Sequence, residues 1–186
     1  GDRTERIGMS EGLPFTWVRT LLRDSEGTLW VVGPVLARLE GRGRVRNYGS
    51  AGETAGEVVW WITRDLQKRL IIGTDDGAAR LGPGGLERVP GTEGRRIKSL
   101  AQDSSGILWM VNTIGPTLWL RPGQSRAEKA PLGDAGTFVN SVMEDPQERV
   151  WFGHTRLGLF RWDAGAQRLV PEVTPEQFHL DSLGVF

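Results

Sequence analysis

The chain has 186 residues, enough for one domain with a sizeable core. Its 23 Lys and Arg balance 23 Asp and Glu, so no overall charge argues for nucleic acid or an anionic membrane as partner. There is no cysteine for a disulfide or a thiolate metal site, and no apolar run approaches the roughly 18 residues of a membrane span.

Residues 1–14 end in "EGLP" and lead into a strand carrying Val18 and Leu21, which stops at Asp24. A tight turn follows, then a second strand from Leu29 and Trp30, a third over 35–40 ("VLARLE") and a more polar fourth over 44–48 ("RVRNY"). The same order recurs three times. Val59 and Ile62 precede Asp65, Leu70 and Ile71 follow it, and further strands fall at 77–82 and 85–90. Ile97 and Leu100 lead to Asp103, then come Leu108 and Trp109, with strands at 116–121 and 126–131. Val139 and Val142 lead to Asp145, then come Val150 and Trp151, with strands at 158–163 and 167–173. The aspartates stand 41, 38 and 42 residues apart, which makes this a repeat protein.

Aspartate at the head of a turn can accept hydrogen bonds from backbone N–H groups shortly after it. Gly27 and Gly106 supply positive φ in two of the turns; Lys68 and Glu148 hold that place in the others, so those two turns are expected to differ in type. No window keeps apolar residues at helical spacing without Gly or Pro intervening, which rules out helical solenoids. Four antiparallel strands per period of about 40 residues predict an all-β fold, a β-propeller of four-stranded blades. The blades fall at 15–48, 58–90, 96–131 and 138–173. Residues 1–14 read as the tail of a preceding blade. Residues 179–186 restart the first-strand pattern with "LDSLGVF". The chain is therefore expected to be an arc of about four blades from a larger ring, with a closed four-bladed ring as the rival. An open arc leaves apolar faces bare, so self-association as a dimer or swapped assembly is expected.

The one Trp-Asp pair, Trp162–Asp163, is not repeated as a WD40 blade requires, and Gly84–Gly85 occurs once where kelch blades need it each time. The motif "V-x-S-[IL]-x-x-D-x-x-G-x-[LI]-W-[IVM]-G-T", with "G-L-x-R-[FW]" after it, resembles the two-component regulator propeller repeat. The third copy carries it as Ile97, Ser99, Leu100, Asp103, Gly106, Leu108 and Trp109. The fourth has Val139, Ser141, Val142, Asp145, Val150, Trp151, Gly153 and then Gly158 to Trp162. The second departs most, with Ile71 for Trp and Lys68 for Gly. This resemblance implies the periplasmic sensor region of a bacterial hybrid histidine kinase or diguanylate cyclase, built of seven-bladed propellers. It also implies carbohydrate fragments as ligands in gut-type members, and contact with the membrane only through downstream segments.

Propellers bind ligands where the loops between second and third strands meet the inter-blade loops. These are 33–36, 74–77, 112–116 and 154–158, with 49–57, 91–96, 133–137 and 174–179. They hold Asp75, Asp76, Arg95, Arg96, Asn112, His154 and Arg156, donors and acceptors suited to a small molecule or oligosaccharide rich in hydroxyls. Trp60 joins them, because the column five residues before each turn aspartate is otherwise Arg19, Lys98 and Asn140; it could stack on a sugar or pack against the next blade. Trp61 is expected in the core, offsetting the volume lost at Ile71. Trp30, Trp109, Trp151 and the turn aspartates recur in register and are read as structural.

An enzyme needs a base. His154 could serve in a lyase like those that inactivate streptogramins, but no cluster of metal ligands accompanies it. Asp75 and Asp76 are adjacent and cannot flank a glycosidic bond. No catalytic residue, metal or cofactor is therefore assigned. The expected function is ligand sensing, with a protein-interaction scaffold as the alternative.

Overall fold

The computed structural model describes residues 6–24, 26–40, 44–48 and 58–174. Among the described residues, sixteen strands form four sheets, each antiparallel and each in simple sequence order. The first contains β1 (Thr20–Arg23), β2 (Leu29–Val32), β3 (Leu36–Glu40) and β4 (Arg44–Tyr48). The second contains β5 (Val59–Arg64), β6 (Leu70–Thr74), β7 (Gly77–Gly82) and β8 (Gly85–Arg88). The third has β9 (Ile97–Gln102), β10 (Leu108–Asn112), β11 (Leu118–Leu120) and β12 (Glu128–Lys129). The fourth has β13 (Val139–Glu144), β14 (Val150–His154), β15 (Gly158–Asp163) and β16 (Arg168–Val173). Sheets of this kind, side by side, are propeller blades. Some strands are shorter than the sequence pattern suggests. The expected 126–131 shrinks to two residues and 116–121 to three, next to Pro116, Pro122 and Pro131, which have no N–H for a ladder.

Three of the cores lie between two sheets, and a fourth packs Leu13 and Phe15 on Val31 and Ala37 of the first. Trp30, Val32 and Leu36 of the first pack on Val59, Ile62, Leu70 and Ile72 of the second. Ile71 and Val89 meet Ile97, Leu100, Leu108 and Met110. Trp109, Val111 and Trp119 meet Val139, Val142, Val150, Phe152, Phe160 and Trp162, with four ring pairs 5.2–6.2 Å apart between centroids. Gly73 is required here, because a Cβ at that position would strike the Ile97 carbonyl of the next sheet.

The four hairpin turns share one construction. Asp24, Asp65, Asp103 and Asp145 each donate their backbone N–H to the carbonyl of the fourth residue on, at 2.9–3.0 Å, and that residue's N–H donates to the aspartate Oδ1. The third residue after each aspartate has positive φ: Gly27 81°, Lys68 63°, Gly106 90° and Glu148 61°. The expected difference in turn type is therefore wrong. Tertiary pairing on both sides imposes the left-handed conformation even where the residue is not glycine.

Turns are also latched across sheets by the last residue of the next first strand. Gln102 Oε1 accepts from Leu66 N (2.8 Å), Glu144 Oε1 from Ser104 N (2.7 Å), and Arg64 Nη2 lies 3.2 Å from Asp24 Oδ2.

Trp61 corrects another expectation. It is 36% exposed rather than buried, while Ile71 is fully covered. The place of the missing indole is taken by arginines: Arg69 Nε donates to Asp65 Oδ2 at 2.8 Å, and Arg80, paired across the ladder with Ile71, lies 3.8 Å from the same oxygen.

Val18 (48% exposed) and Leu21 (57%) stand in columns that are buried in the other three sheets, where the preceding sheet covers them. A closed four-bladed ring would cover them with the fourth sheet. The described residues form an arc. The strand expected at 179–186 lies outside the described residues, as do the loop 49–57 and His179.

Candidate ligand-binding site

In three sheets the first strand carries a β-bulge one turn of the ladder from its start. Val59 pairs with Thr74 but Trp61 with Gly73, so Trp60 is the extra residue; Lys98 and Asn140 are extra in the same way. A bulge re-aims one side chain and lets it leave the ladder. The polar column noticed in the sequence is thus a column of bulged residues at one end of the arc. The loops after β6, β10 and β14 fold over this end: Asp75 N donates to the Val58 carbonyl, Thr113 N to Arg96 and Thr155 N to Phe138, at 3.0–3.2 Å. In the first sheet Pro34 has the corresponding place and no N–H to give.

Trp60 is the hub of a ladder of arginines and indoles. The Arg19 guanidinium lies 3.7 Å from the centre of the Trp60 ring and 5.1 Å from that of Trp17. Arg96 lies 5.4 Å from the Trp60 ring. The Trp60 indole donates to Asp75 Oδ1 at 2.7 Å, and Arg96 Nε donates to the same oxygen at 2.6 Å. Trp17, Arg19, Trp60 and Arg96 come from the starts of three neighbouring sheets, so the ladder spans two interfaces between them.

The structure therefore joins Trp60, Asp75 and Arg96, and places half-buried Arg95 beside them in the chain. Asp76 belongs to an adjoining loop brace, accepting from Arg88 Nη1 (2.7 Å) and Gly94 N (2.6 Å). Asn112 is turned inward and only 4% exposed, its amide donating to the Ile114 carbonyl at 2.8 Å, so it shapes its loop rather than facing a ligand. His154 is also engaged locally. Its Nδ1 accepts from Arg156 N and Leu157 N, both at 3.0 Å, and burial pushes its pKa down against the opposing pull of the Thr137 backbone. Arg156 is exposed, with its guanidinium 5.5 Å from the Phe138 ring. Among the described residues, no hydrogen bond or ring contact joins this fourth-sheet group to Trp60.

Arg19 and Trp17 were not singled out in the sequence, although Arg19 heads the bulge column beside Trp60. Its stacking on the next sheet's indole was the signal available. Among the described residues, no three His, Cys, Asp or Glu side chains gather as a metal site.

A family model, the two component regulator propeller, matches residues 12–34, from the "GLP" entry through β1, the Asp24 turn and β2. That match covers one repeat, and the other three copies follow the same strand and turn pattern. No curated protein matches it in sequence. Among solved structures, the extracellular domain of a candidate hybrid two component system from B. thetaiotaomicron has a TM-score of 0.68 at 20% identity, over 86% of this chain and 26% of that one. A second such domain from that organism gives 0.63 at 21% identity, over 78% and 21%. A catalytically inactive virginiamycin B lyase from Staphylococcus aureus, in a structure with quinupristin, gives 0.60 at 16% identity, over 82% and 54%. The chain spans about a quarter of the length of the first neighbour. At these identities the neighbours establish the fold; sensors and enzymes share it, so chemistry must be argued from the site.

Proposed function

We propose that this propeller segment is part of the extracytoplasmic, periplasmic sensing region of a bacterial two-component-type receptor, and that it binds a small molecule or oligosaccharide at the bulged end of the arc. The observation that carries this reading is the Trp17–Arg19–Trp60–Arg96 ladder, joined by Asp75. It places aromatic faces, fixed donors and an acceptor at one end of a rigid scaffold, the mix that polyhydroxylated ligands require. The repeat type and the two B. thetaiotaomicron neighbours support it. Binding across sheet interfaces would bias their relative orientation, which is how a ligand signals without chemistry. The Nδ1 of His154 is occupied by its own loop.

Thermal melting against a panel of mono- and oligosaccharides tests the reading. A hit should raise Tm with concentration and lose that effect in Trp17→Ala and Trp60→Ala. A hit that both variants retain would move the site elsewhere.

A second reading, a protein-interaction platform, draws on Ile114 (84% exposed), Phe138 (54%) and Leu157 (49%) at the same end of the third and fourth sheets. Substituting these three with Ser should leave saccharide binding intact if the sensing reading holds.

A further inference from the structure

Resting on the reading that the bulged end binds ligand, we propose that Arg19 is an anion fork, and that the ligand carries a carboxylate or sulfate group.

The Arg19 guanidinium carbon lies 3.7 Å from the centre of the Trp60 ring, too near for an N–H to stand between them, so the planar group meets that indole by its face, with Trp17 nearby at 5.1 Å. The N–H donors lie in the plane, at the edge. Among the described residues none of them meets a carboxylate, although Arg19 is exposed and could have turned to one. A guanidinium fixed by its face and free at its edge is preorganised for bidentate binding of an oxyanion, because the entropy of placing the fork is already spent.

The surroundings have the matching sign. Arg19, Arg95, Arg96 and Lys98 converge on this end, opposed by Asp75, while Asp76 is matched by Arg88. Lys98, the bulged residue of the next sheet, has no carboxylate partner among the described residues, and burial pushes its pKa down. In a chain of zero net charge, this is a local concentration of positive charge.

The geometry also redefines Trp60. Its N–H is committed to Asp75 and Arg19 stacks on its ring, so it serves as the platform that aims Arg19. Trp17, 45% exposed, is the indole with a face left for the body of the ligand.

The test is calorimetric titration of the whole chain, at constant ionic strength, with three probes: a glucuronate-containing disaccharide, its sulfated counterpart and the neutral glucose disaccharide. The proposal expects at least one anionic probe to bind tenfold or more tightly than the neutral one. Which of the two wins tells carboxylate from sulfate. Arg19→Lys, which keeps the charge and loses the fork, should weaken that probe at least fivefold, and Trp60→Phe should weaken it less. Equal binding of neutral and anionic probes, still abolished by Trp17→Ala, would overturn the anion fork and leave the site in place. Anion binding that Arg19→Lys and Arg19→Ala leave unchanged would overturn it too. Binding of no probe at this end, with saccharides bound elsewhere, would overturn both this inference and the reading under it.

Discussion

The Trp109 indole donates to Asp103 Oδ2 at 2.6 Å, six residues back along the chain. Trp30 donates to Asp24 at 3.0 Å and Trp151 to Asp145 at 2.7 Å, across the same spacing. The hairpin explains the number six. The aspartate closes the first strand, the turn consumes four residues, and the second residue of the return strand points back over the turn. One carboxylate thereby satisfies the turn's N–H groups with one oxygen and anchors a core indole with the other.

Trp109→Phe should cost about 2–3 kcal/mol, since it strands a buried charged acceptor in addition to removing volume. Trp151→Phe should cost less, because that indole is only half-buried. Urea denaturation of the two variants checks the order. Equal costs would show that burial does not set the contribution of these residues.

Lys68 and Glu148 sit in the left-handed region that their turns impose. A side chain there costs about 1–2 kcal/mol, partly returned by the lower entropy of a non-glycine chain in the unfolded state. Lys68→Gly and Glu148→Gly should each stabilise by about 0.5–1 kcal/mol, seen as a higher urea midpoint. Lowered midpoints would show that their side chains contribute contacts that outweigh the strain.

These turns show which parts of the molecule were legible in the sequence. Period, strand order and core columns could be read because every sheet repeats them; a column that is apolar in each copy has one explanation. The indole bond was not read, though Asp and Trp recur at fixed spacing, because spacing alone does not say which way a side chain points. The uniform turns were misjudged from Lys68 and Glu148, since local preference was weighed without the pairing that overrides it. Trp61 was misplaced for the opposite reason. A volume argument suggested the core, whereas Trp61 stands exposed and Asp65 Oδ2, the acceptor an indole would have met, takes a bond from Arg69 Nε. At the site, the bulge column was visible but its consequence was not. Only the shift in register puts Arg19 on Trp60.

Acid should loosen the fourth turn. Burial alone would raise the Asp145 carboxyl, but bonds from the Trp151 indole, the Arg149 backbone and side chain, and Gln147 N outweigh it and lower the pKa from 3.8 to about 2. The folded state thus holds its charge where the unfolded chain takes up a proton. This contribution is complete above pH 3.8 and is lost as the pH falls from there toward 2. Asp145→Asn should be less stable at pH 6 and should flatten the acid limb of the stability profile. An unchanged limb would show that the turn carries no linked proton.

We propose that the bare columns at Val18 and Leu21, at the free face of the first sheet, drive self-association. Val18 and Leu21 should give a molar mass that rises with concentration in light scattering. Leu21→Lys should shift the chain toward monomer without lowering Tm. A monomer at all concentrations would contradict this.

On the proposed reading the tryptophans divide by role: Trp30, Trp109 and Trp151, on turn aspartates, build blades, while Trp17 and Trp60 serve the ligand. The direct measurement is a two-dimensional NMR titration of the indole N–H signals, assigned by single Trp→Phe variants, with the tightest-binding saccharide. The account predicts that the Trp17 and Trp60 signals move while those of Trp30, Trp109 and Trp151 stay. Movement confined to the turn-bound indoles, with Trp17 and Trp60 still, would contradict it.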